Sequence, residues 1–224
     1  MHSRLCPAKL ADRVAVARLL DVVTPDLVEE AISRSNAREQ RSRQMPSWLS
    51  LYFCLAAWLW AGDGYANVYG KLADGLVWCG RNVPGDPPNV PSISRALDRL
   101  GPEPLSALFQ RLAAADTGQS LTLDITHVGV SRPCDFPRAR IAVLTGDRGV
   151  VDATWAPASV AEDDLPGRLA YLRGRPGAVT AESSGELLRW VTGDAGARAM
   201  LRSRTVSGVD QEIWALLCVR QAFG

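Results

Sequence analysis

The stretch from Trp48 to Ala61 constrains this chain more than any other, because it is apolar throughout apart from Ser50. At about 14 residues it falls short of the ~20 a helix needs to cross a bilayer. Within it Trp48, Leu51, Leu55, Trp58 and Leu59 recur at helical spacing, and the remaining faces are apolar as well. A helix with no face for water belongs at the centre of a bundle. The flanking sequence supplies the other members. Leu10 to Leu20 is amphipathic. Thr24-Pro25-Asp26 reads as a helix start, with a hydroxyl N-cap, proline at the first helical position and an acid in the first turn. That helix is expected to run to about Ser33. Pro46 opens the apolar helix and Gly62-Asp63-Gly64 closes it. Further helices are expected over Tyr65 to Leu76, Ser92 to Leu100 and Glu103 to Ala115, with a Pro/Gly/Asn-rich loop from Gly80 to Pro91.

The character of the sequence changes near Gly118. Leu121 to Asp124, Arg140 to Thr145 and Val150 to Trp155 read as strands rich in β-branched residues. A helix is expected over Glu162 to Leu172, short strands at Ala178 to Ala181 and Ala197 to Leu201, and a last helix over Val209 to Phe223. The expected fold class is therefore α+β: an all-helical domain over 1–115, a boundary at Ala115 to Ser120, and a mixed domain over 120–224.

Composition removes several function classes. A net charge of +1 makes no global argument for or against nucleic acid. The five cysteines are scattered without a Cys-x-x-Cys pair, and His2 and His127 are far apart in sequence, so neither a zinc site nor a disulfide framework has support. A reducing cytoplasm is the expected setting. The N-terminus lacks the apolar segment of a secretory leader, and no membrane partner is expected. No Gly-x-Gly-x-x-Gly, phosphate loop or Gly-x-Ser-x-Gly occurs.

One segment carries a specific likeness. Val90-Pro91-Ser92-Ile93-Ser94-Arg95-Ala96-Leu97-Asp98-Arg99-Leu100-Gly101-Pro102-Glu103-Pro104-Leu105 resembles the N-terminal domain of bacterial insertion-sequence DDE transposases of the IS-four type, which have a Pro-Ser helix, an Arg-Leu-Gly-x-x-Pro-Leu turn and a following Leu-Phe helix. The start at Val23-Thr24-Pro25, the arginine-rich stretch and the Trp/Leu helix fit the same domain in the same order, from about Asp21 to Ala115. Downstream the likeness is patchier but collinear. Leu123-Asp124-Ile125-Thr126 resembles the family's Asp-Gly-Thr, Phe136-Pro137-Arg138-Ala139-Arg140 its Phe-Pro-x-x-Arg, and Val150-Val151-Asp152-Ala153 its third strand. Gln211-Glu212-Ile213-Trp214-Ala215-Leu216-Leu217 resembles its Gln-Glu-x-Trp-x-Leu-Leu helix. The resemblance implies that the second half is a truncated RNase H-like domain. The order of three strands, helix, strand, helix, strand and helix fits that fold in compressed form.

The chemistry so implied is cleavage and transfer of DNA strands, with metal ions such as Mg²⁺ held by three carboxylates. Asp124 stands at the end of its expected strand; alone it reads as a turn acid, and the resemblance makes it the first metal ligand. Glu182, in Thr180-Ala181-Glu182-Ser183, takes the place of the second carboxylate and is one methylene longer than an aspartate. Alone it reads as an exposed acid near a helix start. The third carboxylate, in a Tyr-x-x-Arg-x-x-x-Glu helix, is missing; Gly193 stands four residues after Arg189, and Glu212 is a remote substitute. The expectation is a transposase-like protein that is catalytically impaired and at most binds transposon ends. The alternative is an active metal-dependent enzyme with a shrunken site, and Mg²⁺ is expected only in that case. For DNA, Arg34, Arg38 and Arg41 would share a face if helical. Ser92, Ser94, Arg95 and Arg99 lie on the short helix that would act as a recognition helix, against the blander reading of both as solvated faces. The resemblance also admits a homo-oligomer.

Overall fold

The computed structural model describes residues 9–35, 37, 43–113, 121–130, 136–160, 171–172, 174–175, 178–181 and 200–223. Six helices come first: α1 (Leu10–Val22), α2 (Pro25–Arg34), α3 (Ser47–Leu59), α4 (Tyr65–Trp78), α5 (Val90–Leu100) and α6 (Glu103–Leu112). Their ends follow local chemistry. Asp12 in the first turn of α1 accepts from the Lys9 amide at 2.9 Å. Thr24 Oγ1 accepts from the Leu27 amide at 3.4 Å, with Pro25 at the first helical position, as Thr24-Pro25-Asp26 predicts. α5 starts two residues before the expected Ser92, because Asn89 is its N-cap and accepts from the Ser92 amide at 2.9 Å. Gly101, at φ 70°, closes that helix in a conformation suited to glycine.

α3 is the centre of this group. Every residue from Leu49 to Ala56 is buried, and the helix contacts α2, α4 and α5. Its Tyr52 hydroxyl donates to the Val23 carbonyl at 2.7 Å, which satisfies a buried polar group on an otherwise apolar helix. α1 lies against α4 at close range. A Cβ on Gly75 would sit 2.5 Å from Val16 Cγ2, so only glycine permits this approach. Beside that contact Arg13 Nε donates to Asp74 Oδ2 at 2.7 Å.

The second half forms a sheet from β1 (Leu121–Val130), β2 (Arg138–Gly146), β3 (Gly149–Pro157), β4 (Ala178–Ala181) and β5 (Met200–Leu201), followed by α7 (Val206–Phe223). The order is β3-β2-β1-β4, with β5 also on β1; β1, β2 and β3 are antiparallel neighbours, whereas β4 and β5 run parallel to β1. β1 extends well beyond the expected Leu121 to Asp124, because it pairs with β2 from Thr122 to Gly129. Asp124 is therefore a mid-strand residue and not the strand-end acid its sequence suggests. Leu121, Leu123, Ala142, Leu144 and Leu172 make a buried cluster, with Ile125 and Val151 packed against it. Asp124 and Thr126 alternate to the opposite face, in register with Val143 and Ile141 and, one strand further, Ala153 and Trp155. Trp155 Nε1 donates to Asp210 Oδ1 of α7 at 2.6 Å.

The chain divides into two compact units that do not follow chain order: the first groups the helices up to Arg111 with Trp214–Phe223, and the second spans Leu112 to Ile213. Within the first, Cys218 Sγ donates to the Leu105 carbonyl at 3.5 Å and the Phe109 and Trp214 rings lie 5.4 Å apart. The architecture is mixed α+β, a helical region followed by a sheet. No helix among the described residues is long and apolar enough to cross a membrane. Most of the expected helix over 162–172, and residues 197–199 of the expected last strand, lie outside the described residues.

Candidate functional site

Two groups of sequence-predicted residues can be placed, one on the sheet and one on α5. Asp124 is half-buried in β1 and its Oδ1 is shielded from solvent. Its register partners are Val143 in β2 and, across the parallel pair, Ala181 in β4. Neighbouring strands run about 4.8 Å apart, so β4 ends directly beside Asp124. Glu182 follows Ala181 in the chain and is itself outside the described residues. His127, three residues after Asp124, belongs to the other face, and its Nε2 accepts from Arg140 Nε at 3.3 Å.

Glu212, the remote substitute for a third carboxylate, is engaged elsewhere. Its Oε2 accepts from the Arg202 amide at 2.7 Å and its Oε1 from the Ser203 hydroxyl at 2.8 Å. Burial raises its pKa above the ordinary carboxyl value, against the hydrogen bonds from Ser203 and Arg202, which lower it. The side chain ties the turn after β5 to α7, and coordinating a metal would break those bonds. Among the described residues no group of three or more His, Cys, Asp or Glu could hold a metal ion. The described residues thus do not by themselves make a fit for Mg²⁺, which prefers about six oxygen ligands in octahedral geometry.

The α5 group is better defined. Ile93, Ala96 and Leu100 form its buried face, while Val90, Pro91, Arg95, Asp98 and Arg99 are exposed. Arg95 Nη2 donates to Ser92 Oγ at 3.2 Å, and Arg99 Nη1 donates to the Arg95 carbonyl at 3.2 Å. Ser92, Arg95 and Arg99 therefore share one stripe. Ser94 does not, since two residues along a helix lie roughly 200° apart. Arg99 Nη2 also donates to the Met45 carbonyl at 3.2 Å, which brings the chain ahead of α3 to this face. The exposed Arg43, counted in the sequence only as part of an arginine-rich stretch, thereby comes near α5; nothing in its local sequence signals that neighbour.

Of the other arginine group, the described residues place only Arg34. α2 ends at Arg34, because the Ser35 hydroxyl donates to the carbonyls of Ala31 and Ile32 at 2.8 and 3.2 Å and closes the last turn. Arg34 Nη2 lies 2.7 Å from Glu30 Oε1, and the same glutamate takes Arg111 Nε at 3.3 Å. Arg38 and Arg41 lie outside the described residues.

This helical region, with its apolar central helix and its α5–α6 turn, matches a known family. Residues 13–110 match the family model of the insertion element 4 transposase N-terminal domain. Over those residues the chain is similar to the N-terminal domain of insertion element 4 transposases. No curated protein and no solved structure gives a significant match.

Proposed function

We propose that this protein is a transposase derivative that binds DNA ends through the α5 surface and has lost strand cleavage. The observation that carries the reading is the match of residues 13–110 to a transposase N-terminal domain, over helices whose α5 presents Ser92, Arg95 and Arg99 on one stripe. Arg95, exposed on that stripe, is the cationic side chain placed to contact phosphates, which makes binding salt-dependent. The second unit is read as a truncated RNase H-like remnant. In support, it has three antiparallel strands and a fourth that returns parallel to the first. Loss of cleavage is supported by Glu212, whose two oxygens serve the Arg202 amide and the Ser203 hydroxyl. The test is DNA binding and nicking on duplexes carrying inverted-repeat ends. Binding that weakens with salt, without cleavage in Mg²⁺, is expected; no binding even at low salt would leave an inert remnant.

The alternative, an active metal-dependent enzyme, has one observation in its favour: β4 brings Ala181, the residue that precedes Glu182 in the chain, opposite Asp124. Of the three candidate carboxylates Asp124 and Glu212 lie among the described residues, and Glu212 is held by the Arg202 amide and the Ser203 hydroxyl. Under this alternative the wild-type chain nicks DNA in Mg²⁺ and Asp124→Ala does not.

A further inference from the structure

Arg99 is exposed, yet its guanidinium is engaged with two backbone carbonyls. Nη1 reaches Arg95 within α5 and Nη2 reaches Met45, each at 3.2 Å. The second contact crosses between two elements. Met45 is only 3% exposed, and the Ser50 hydroxyl approaches its carbonyl at 3.5 Å, so the chain ahead of α3 is anchored at this residue. Arg43 and Gln44, both exposed, immediately precede the anchor. Two trans peptide units keep the Arg43 Cα within ~8 Å of that of Met45. One turn before Arg99, the exposed Arg95 rests on Ser92 Oγ at 3.2 Å. The exposed acid on this side of α5 is Asp98. The exposed residues of α5, with Arg43 and Gln44, include no aromatic side chain. A single-stranded partner would want such platforms for stacking, whereas arginine forks suit the phosphates of a duplex.

Resting on the DNA-binding reading above, we propose that duplex phosphates are contacted by a ridge built from two elements, Arg43 ahead of α3 and Arg95 on α5, with Arg99 as the positioning residue that holds the two together. Charge and position can be separated at Arg99. Lysine keeps the charge but is a single point donor on a flexible stem and does not hold two carbonyls in one geometry.

The test uses the full chain and a fluorescein-labelled duplex of mixed sequence, with the association constant followed by anisotropy over a range of salt concentrations. Arg43→Gln, shown by circular dichroism to be folded at the assay temperature, lowers the slope of log K against log salt by ~0.9, the value for one phosphate contact. Arg99→Lys lowers the slope by the same amount although the net charge is unchanged, and it adds nothing in the Arg43→Gln background. A mere loss of stability would not move the slope. A wild-type slope in either single variant overturns the ridge, as does an additive loss in the double variant, which would make Arg99 a contact in its own right. If the wild-type chain itself fails to bind at low salt, the DNA-binding reading falls and the ridge with it.

Discussion

The helical region and the sheet are organised on different length scales. In the helices three of the starts are settled by a neighbour a few residues away: Asp12 on the Lys9 amide, Thr24 on that of Leu27, Asn89 on that of Ser92. In the sheet β1 takes every pairing partner from downstream, β2 by a short connection but β4 and β5 only after long ones. The difference teaches that a helical domain can be recognised from its sequence almost element by element, whereas a sheet built around one central strand depends on segments far along the chain. α7 qualifies the contrast, because its last ten residues, Trp214–Phe223, group with the helices that open the chain.

Removing that segment should have the largest effect. Leu216, Leu217 and Val219 are each about 1% exposed, and burying an aliphatic side chain contributes about 1.5–3 kcal/mol. A chain ending at Ile213 should therefore lose more than ~4 kcal/mol from the helical unit, measured by the far-ultraviolet circular dichroism melt. An unchanged melt would make the helices as locally self-sufficient as their caps suggest.

A core truncation in the sheet comes next. Leu123 is fully buried in the cluster with Leu121, Ala142, Leu144 and Leu172. Leu123→Ala should cost ~2–5 kcal/mol and should appear as faster proteolysis of the sheet; no change in protease resistance would mean that β1 is not its centre.

Glu212 sharpens the comparison through pH. Its pKa is raised by burial, so the folded state holds the proton more tightly than the unfolded chain. Stability is thus greatest below the ordinary carboxyl range and falls as pH climbs through the raised folded value. Glu212→Gln retains an acceptor for the Arg202 amide and should flatten that decline in denaturant titrations at a series of pH values. Glu212→Ala strands the Arg202 amide and Ser203 hydroxyl and should cost ~1–3 kcal/mol. A pH profile unaffected by Glu212→Gln would show that another group sets it.

The smallest effect is expected at Gly75. An alanine Cβ would meet Val16 Cγ2 at 2.5 Å. The overpacking, ~1–3 kcal/mol, is partly offset by the ~1 kcal/mol by which alanine favours a helix interior. Val16→Ala in the same chain removes the Cγ2 contact but leaves a Cβ at 2.7 Å, so it should recover only part of the net loss; no recovery at all would place the strain elsewhere.

Much of the helical half is legible residue by residue. The apolar stretch from Trp48 had to be interior, and the structure buries Leu49 to Ala56. Thr24-Pro25-Asp26 started a helix as its chemistry requires. Asn89 was the cap that reading Ser92 as the helix start overlooked, although Asn followed closely by Pro is itself a start signal. The candidate site was less legible. Asp124 reads as a turn acid because its first three neighbours look like a short strand; only pairing with β2 shows that the strand continues past it. Arg34 is the last residue of α2, and the Ser35 hydroxyl closes the turn behind it, close to the end at Ser33 that the sequence suggests.

By itself the amino-acid order determined where helices begin, which of them is interior, and the likeness of the first half to a transposase domain, because capping, periodicity and hydrophobic patterning act within a few residues. Only the tertiary structure decided that β4 lies beside Asp124, that Glu212 serves a turn, that Arg99 reaches Met45 and that the end of α7 groups with the opening helices. Those are encounters between segments distant in sequence, and no local pattern states which distant partner a polar group or an apolar face will meet.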